Sequence, residues 1–331
     1  MYQLPKIYEK KHDFCIHVYD QILELFKSID ECGALKVNID IKESEAQKIF
    51  INLKGEELYT WLLQNGYNKE IAEMNYKECF AAILSDMLQF ILTAFHCSEK
   101  GQLTVTYTLL RKPLKDNLFY LEFLLADPVD FLRRFNSSKN VSDLAVEQCQ
   151  KDEKISIIDK AIEIINLPLY DGLTLYDLRY NKRNDIGFEP AFQQANHLIT
   201  KYDYYRTSEG NFNFVFSNSD DKESQWQFLY ITMPQLMVYI LHIVTELSKN
   251  IIKLPDYWSL ILLKHVLGLS YVMSGSFSVV KNSFKEIFDD VNWKCDVCGT
   301  QLVFDYQQFR YFQAKFGLIC KKCKKEYSFM S

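Results

Sequence analysis

The chain has 331 residues, of which 48% are apolar and 24% charged, and a formal net charge of −5. This is the composition of a soluble globular protein of two domains, or of one large domain with an appendage, and it excludes collagen-like, disordered and coiled-coil-only chains. Eleven glycines and seven prolines are about half the usual share and too few for the many tight turns of a sandwich or barrel.

The expected fold is therefore mainly α, a multi-helix bundle with a small C-terminal β element. Residues 8–30 read as an amphipathic helix, with Phe14, Val18, Ile22, Leu25 and Phe26 near one face, ended by Cys32-Gly33. Residues 42–65 hold one or two helices closed by Asn65-Gly66. Residues 69–97 form a long apolar helix. Glu99-Lys100-Gly101 turns the chain, and 102–126 return antiparallel, kinked or restarted at Pro113. Asp127-Pro128 starts a short helix through Phe135, followed by a polar linker at 136–140. Residues 142–166 read as helical, 168–190 as irregular, and PAFQQANHLIT as a short helix. The alternation of NFNFVFSN (211–218) predicts a strand. A helix capped by SDDKES runs to Lys249 with a bend at Pro234, and helices at 256–273 and 281–290 complete a body of residues 1–290.

Residues 257–280 are the most membrane-like stretch. Lys264 and His265 fall in its middle, where a charge costs at least ~2.5 kcal/mol, so a core helix is expected and no membrane contact. MYQLPKIYEKKHDF carries no apolar signal core, and nine cysteines are an odd number. Both point to a reducing, cytoplasmic setting.

Residues 291–331 break the helical pattern. Cys295-Asp-Val-Cys298-Gly299 and Cys320-Lys-Lys-Cys323 make a C-x2-C-x21-C-x2-C spacing. Two residues between thiolates let one tight turn aim both sulfurs at one ion, and two such turns close a tetrahedral shell. The pattern resembles zinc ribbons. Four protein ligands leave no site for water, so the expected cofactor is a structural Zn2+ bound by Cys295, Cys298, Cys320 and Cys323. Redox use of the pairs and an iron–sulfur cluster are the alternatives. The intervening residues are long enough for a β-hairpin. This segment carries a charge of +4, leaving −9 on the body, a mild asymmetry rather than a strong nucleic-acid signature. Arg310, Lys315, Lys321, Lys322, Lys324 and Lys325 accompany Phe309, Tyr311, Phe312 and Phe316. These residue types suit phosphate contact and base stacking. Equally, the aromatics could dock the ribbon on the body and leave the lysines solvated.

In the body, Arg111, Lys115 and Glu122 fall within about 40° on one helical face. Asp86, Gln89, Thr93 and His96 form a strip on the preceding helix. Either an ion-pair network joins the two helices, or an anion binds there. Arg179 and Arg183, at i,i+4, could clamp a phosphate or pair with Asp177 and Asp185. His197 and His96 are the candidate acid–base groups. His12, His17, His242 and His265 stand without acidic or thiol partners at useful spacing and read as packed or exposed. No P-loop, G-x-G-x-x-G, G-x-S-x-G or H-E-x-x-H occurs.

The run TLLRKPLKDNLFYLEFLLADPVDF (108–131), after a long apolar helix, resembles the helical hairpin of HEPN-like bacterial proteins over residues 80–200. Many such proteins belong to abortive-infection or toxin systems. The marker of the active ribonucleases is Arg followed by four to six residues and His. Here the nearest such pair, Arg183 and His197, has thirteen residues between its members. The catalytic motif therefore does not carry over. The resemblance implies a binding protein with an RNA or protein partner, in a defence or stress setting. Its rivals are a metal-independent ribonuclease or nucleotide-processing enzyme with a non-standard site, and a purely structural interaction protein. Nothing in the sequence sets an oligomeric state.

Overall fold

The computed structural model describes residues 3–41, 47, 50–136, 144–288 and 293–329. It is mainly α-helical. Helix α1 (Lys6–Glu31) buries Phe14, Cys15, Val18, Ile22, Leu25 and Ile29 along one stripe and ends where Gly33 takes φ +71°. Helix α2 (Glu56–Gln64) leads into the long α3 (Asn68–Glu99), and α4 (Leu103–Lys112) packs back on α3 after a turn at Gly101. The start of the segment expected as helical from residue 42 lies outside the described residues.

Pro113 neither ends nor restarts the helix. Pro113–Asn117 form one wide π-helical turn that runs directly into α5 (Leu118–Ala126). Proline has no N–H to donate and crowds the carbonyl four residues back. A wide turn accommodates both, at the cost of one residue of helical phase. Asp127 then caps α6 (Pro128–Phe135) by accepting from Asp130 N at 2.9 Å.

Three expectations are corrected by the structure. The helix expected over 142–166 begins only at Lys151 (α7, Lys151–Ile165), and residues 137–143 of its approach lie outside the described set. The stretch 168–190 is not irregular throughout, because α8 spans Gly172–Tyr180 within it, while the short helix expected at PAFQQANHLIT is present as α9 (Phe188–Asn196). Asp171 caps α8, accepting from Thr174 N at 2.7 Å. Gly172 lets α8 approach α7 so closely that a Cβ there would stand 2.5 Å from Asp159 Oδ1. Residues 211–218 form turns, not a strand. Phe214 adopts φ +62°, which breaks the alternation. Asn213 bonds locally, its side chain donating to His197 O at 2.7 Å. Sheet hydrogen bonds need a neighbouring strand, and this segment has none among the described residues.

Helix α10 (Ser219–Lys249) is the central element, opened by a capping box at Asn218 and Asp221. It packs against α1, α4, α5 and α7 and against α11 (Trp258–Ser274). A helix that is apolar on all sides belongs in a core. By length and composition α3 and α10 could each cross a membrane. Within the protein, 44% and 83% of their most apolar windows are buried. The stretch singled out from sequence, 257–280, instead contains the shorter helix α11 and the start of α12 (Phe277–Phe288). Residues 289–292, the boundary between body and ribbon, lie outside the described residues.

Candidate metal centre

The two cysteine pairs come together. Their four sulfurs lie within 4.8 Å of one another, with Cys295 to Cys323 and Cys298 to Cys320 both at 3.5 Å. Four thiolates on a tetrahedral ion at ~2.3 Å per bond stand about 3.8 Å apart, so the cluster fits a single metal ion. Each pair sits on a tight turn closed by backbone. Gly299 N donates to Cys295 O, and Lys324 N to Cys320 O, both at 2.9 Å. The left-handed positions that follow are taken by Gly299 at φ +67° and Lys324 at φ +63°. Tyr327 Oη donates to Cys295 Sγ at 3.1 Å, and this bond holds the Cys295 thiol down to about 6. A low thiol pKa favours the ligating thiolate.

The residues between the pairs are not a β-hairpin. They form helix α13 (Tyr306–Lys315), capped by Asp305 and ended by Phe316 in the left-handed conformation. Phe309, Phe312 and Phe316 recur at helical spacing and bury one face. The strands are β1 (Gly317–Ile319) and β2 (Glu326–Ser328), antiparallel, with the second cysteine pair at their tip. Buried Gln308 ties α13 to β1, accepting from Ile319 N at 3.0 Å and donating back to Ile319 O.

The aromatics dock the ribbon. Phe309, Phe312 and Phe316 share a buried cluster with Ile261 and Leu267 of α11 and Val280 of α12. Gln313 donates to Lys264 O at 2.9 Å, and Gly268 leaves room for both Phe14 and Gln313. Arg310, Lys322, Lys324 and Lys325 are exposed, while exposed Lys321 pairs with Asp305.

The polar residues of the body are arranged differently from the helical-face reading. Glu122 leaves the face of Arg111 and Lys115 because the π-turn between them rotates it by about 100°. Glu122 and Arg179 are both fully buried. Arg179 Nη2 donates to both Glu122 oxygens, at 2.9 and 2.8 Å, and Tyr239 Oη donates to Oε1 at 2.7 Å. The π-turn also frees backbone carbonyls. Leu114 O accepts from Arg179 Nη1 at 3.3 Å, and Lys115 O from Tyr180 Oη at 2.6 Å. Lys115 pairs with Glu189 at 2.5 Å. Arg111 is half-buried and acts on Asp116. Asp86 takes Lys112 and Asn117. The Arg179–Arg183 clamp does not form: α8 stops at Tyr180, and exposed Arg183 lies over the Tyr204 ring at 5.8 Å. His197 is an exposed residue at the end of α9.

His96 is exposed and lines a cleft of about 350 Å³ with His12, Asp13, His17, Asp20 and Glu99. His17 stands 5.2 Å from His265, ring to ring. His12 Nδ1 lies 2.9 Å from Tyr230 Oη. Burial holds His17 and His242 down to about 4. No sequence signal links positions 17 and 265, which meet only because α1 packs on α11. No family model, curated protein or solved structure matches this chain.

Proposed function

We propose that this chain is a non-enzymatic binding protein whose ribbon is held by a structural Zn2+ and contacts the phosphate backbone of single-stranded RNA. The carrying observation is that Arg310, Lys322, Lys324 and Lys325 are exposed on the ribbon while its aromatic face is buried against the body. The four-thiolate donor set suits Zn2+. In this reading the body is a HEPN-like relative without the catalytic pair, since no Arg is followed by His after four to six residues and Arg183 lies over the Tyr204 ring. The setting is cytoplasmic, consistent with nine cysteines none of which is in a disulfide.

With Phe309, Phe312 and Phe316 buried, base stacking contributes little, and binding is mostly electrostatic and indifferent to sequence. Four phosphate contacts imply a logarithmic salt slope of about −3 for a single strand. Affinity then falls roughly 50-fold between 50 and 200 mM salt. The test is a titration of zinc-loaded protein against labelled single-stranded RNA at both salt concentrations, with the RNA run afterwards on a denaturing gel. A steep salt effect with intact RNA, lost in Lys322→Glu/Lys324→Glu/Lys325→Glu, is expected. No binding at 50 mM, or an unaffected triple variant, overturns RNA contact, and cleavage overturns the non-enzymatic reading. An acidic or apolar protein partner is the second reading, favoured by the exposed side chains of Ile186, Leu198, Ile199 and Phe216.

A further inference from the structure

Five of the chain's six histidines lie around the junction of α1, α3, α10 and α11. His265 is fully buried, and neither of its ring nitrogens has a hydrogen-bond partner. His242 Nε2 is likewise buried without one. A neutral imidazole carries both a donor and an acceptor, and leaving both unmet in a core is costly. Such an orphaned group calls for an explanation beyond packing.

The ring of His17 stands against that of His265 at a centroid separation of 5.2 Å. Two imidazoles on one tetrahedral ion, at about 2.0 Å per bond, place their centroids about 5 Å apart. His17 also lines the cleft between α1 and α3, which provides an entry path. Asp13, Asp20 and Glu99 line the same cleft and supply negative charge. This favours a cation over an anion as the ligand. The opposing element is Lys264, buried beside the pair, so the cleft carboxylates are needed to offset it.

We propose that His17 and His265 bind a divalent transition ion of the zinc, cobalt, nickel or copper class at the inner end of this cleft. Imidazole donors select these ions over magnesium and calcium. Among the described residues no three His, Cys, Asp or Glu donors at this place lie within 4.8 Å of one another, so water completes the shell. The ion is therefore exchangeable, unlike one enclosed by four thiolates.

The test is a cobalt titration of the full chain with zinc already bound at the four cysteines. The expected result is one further equivalent of Co2+, with weak visible bands and no thiolate-to-cobalt charge transfer. His17→Ala, in the lining of the cleft and outside the apolar core, weakens uptake at least ~10-fold with an unchanged circular dichroism spectrum. His265→Phe, which replaces one buried ring by another, also abolishes it. The proposal is overturned if no cobalt binds beyond the cysteine site. It is equally overturned if cobalt enters only with a charge-transfer band and release of zinc, or if His17→Ala binds as tightly as the parent.

Discussion

Replacing Arg179 by methionine removes the only cation among the described residues within hydrogen-bonding distance of the Glu122 carboxylate and leaves that group fully enclosed. With charge centres roughly 4 Å apart and an effective dielectric of about 20, the lost attraction is about 4 kcal/mol. That agrees with the ~3–5 kcal/mol typical of breaking one side of a buried pair. Two backbone carbonyls, Leu114 O and Leu175 O, also lose a donor. Removing both charges, in Glu122→Leu/Arg179→Met, eliminates the orphaned carboxylate. What remains is an unpaired Tyr239 hydroxyl, worth about 1–3 kcal/mol. The double variant is therefore more stable than the sum of the two singles by at least ~2 kcal/mol. Adding Tyr239→Phe recovers more. Urea unfolding with zinc in excess, followed by the signal of the helical body, measures each step of the cycle. A single-variant cost below ~1 kcal/mol, or an additive double, refutes the argument that this network locks α5, α8 and α10 together.

Two further outcomes follow from the site geometry. Cys320→Ser opens the four-thiolate shell, so amide exchange should rise sharply over α13, β1 and β2 while α10 keeps its protection; uniform loss across the chain would show that ribbon and body unfold as one unit. His242 is held down to about 4 by desolvation, with Lys249 adding to it. Its folded pKa lies below the unfolded value of ~6.5. The unfolded chain therefore takes up a proton first, and stability falls as pH drops from about 6.5 toward 4, by up to about 3 kcal/mol. His242→Phe should flatten that part of the pH–stability curve relative to the parent, and an identical curve would show that His242 ionises freely in the fold.

How legible these features were depended on how local they are. The apolar run of 69–97 and the helix from SDDKES to Lys249 lie within single elements, and α3 and α10 follow them closely. The C-x2-C pairs are equally local, since two residues between sulfurs dictate a turn. The alternation at 211–218 misled because a strand is made by its neighbour, and none is present among the described residues. The polar wording of 168–190 hid helix α8 because Asp171 acts there as a cap and Gly172 as a contact point with α7. The face shared by Arg111, Lys115 and Glu122 failed at a single proline, whose wide turn shifted the phase.

The sequence by itself determined the helical class, the central apolar helix and the identity of the four clustered thiols, because periodicity and short-range spacing are properties of one segment. Only the tertiary structure decided that Arg179 answers Glu122 across 57 positions, that the ribbon's phenylalanines face α11, and that His17 meets His265. Those pairings depend on which helices lie side by side and in what rotational phase. Both follow from packing the whole chain, and no local pattern of residues records them.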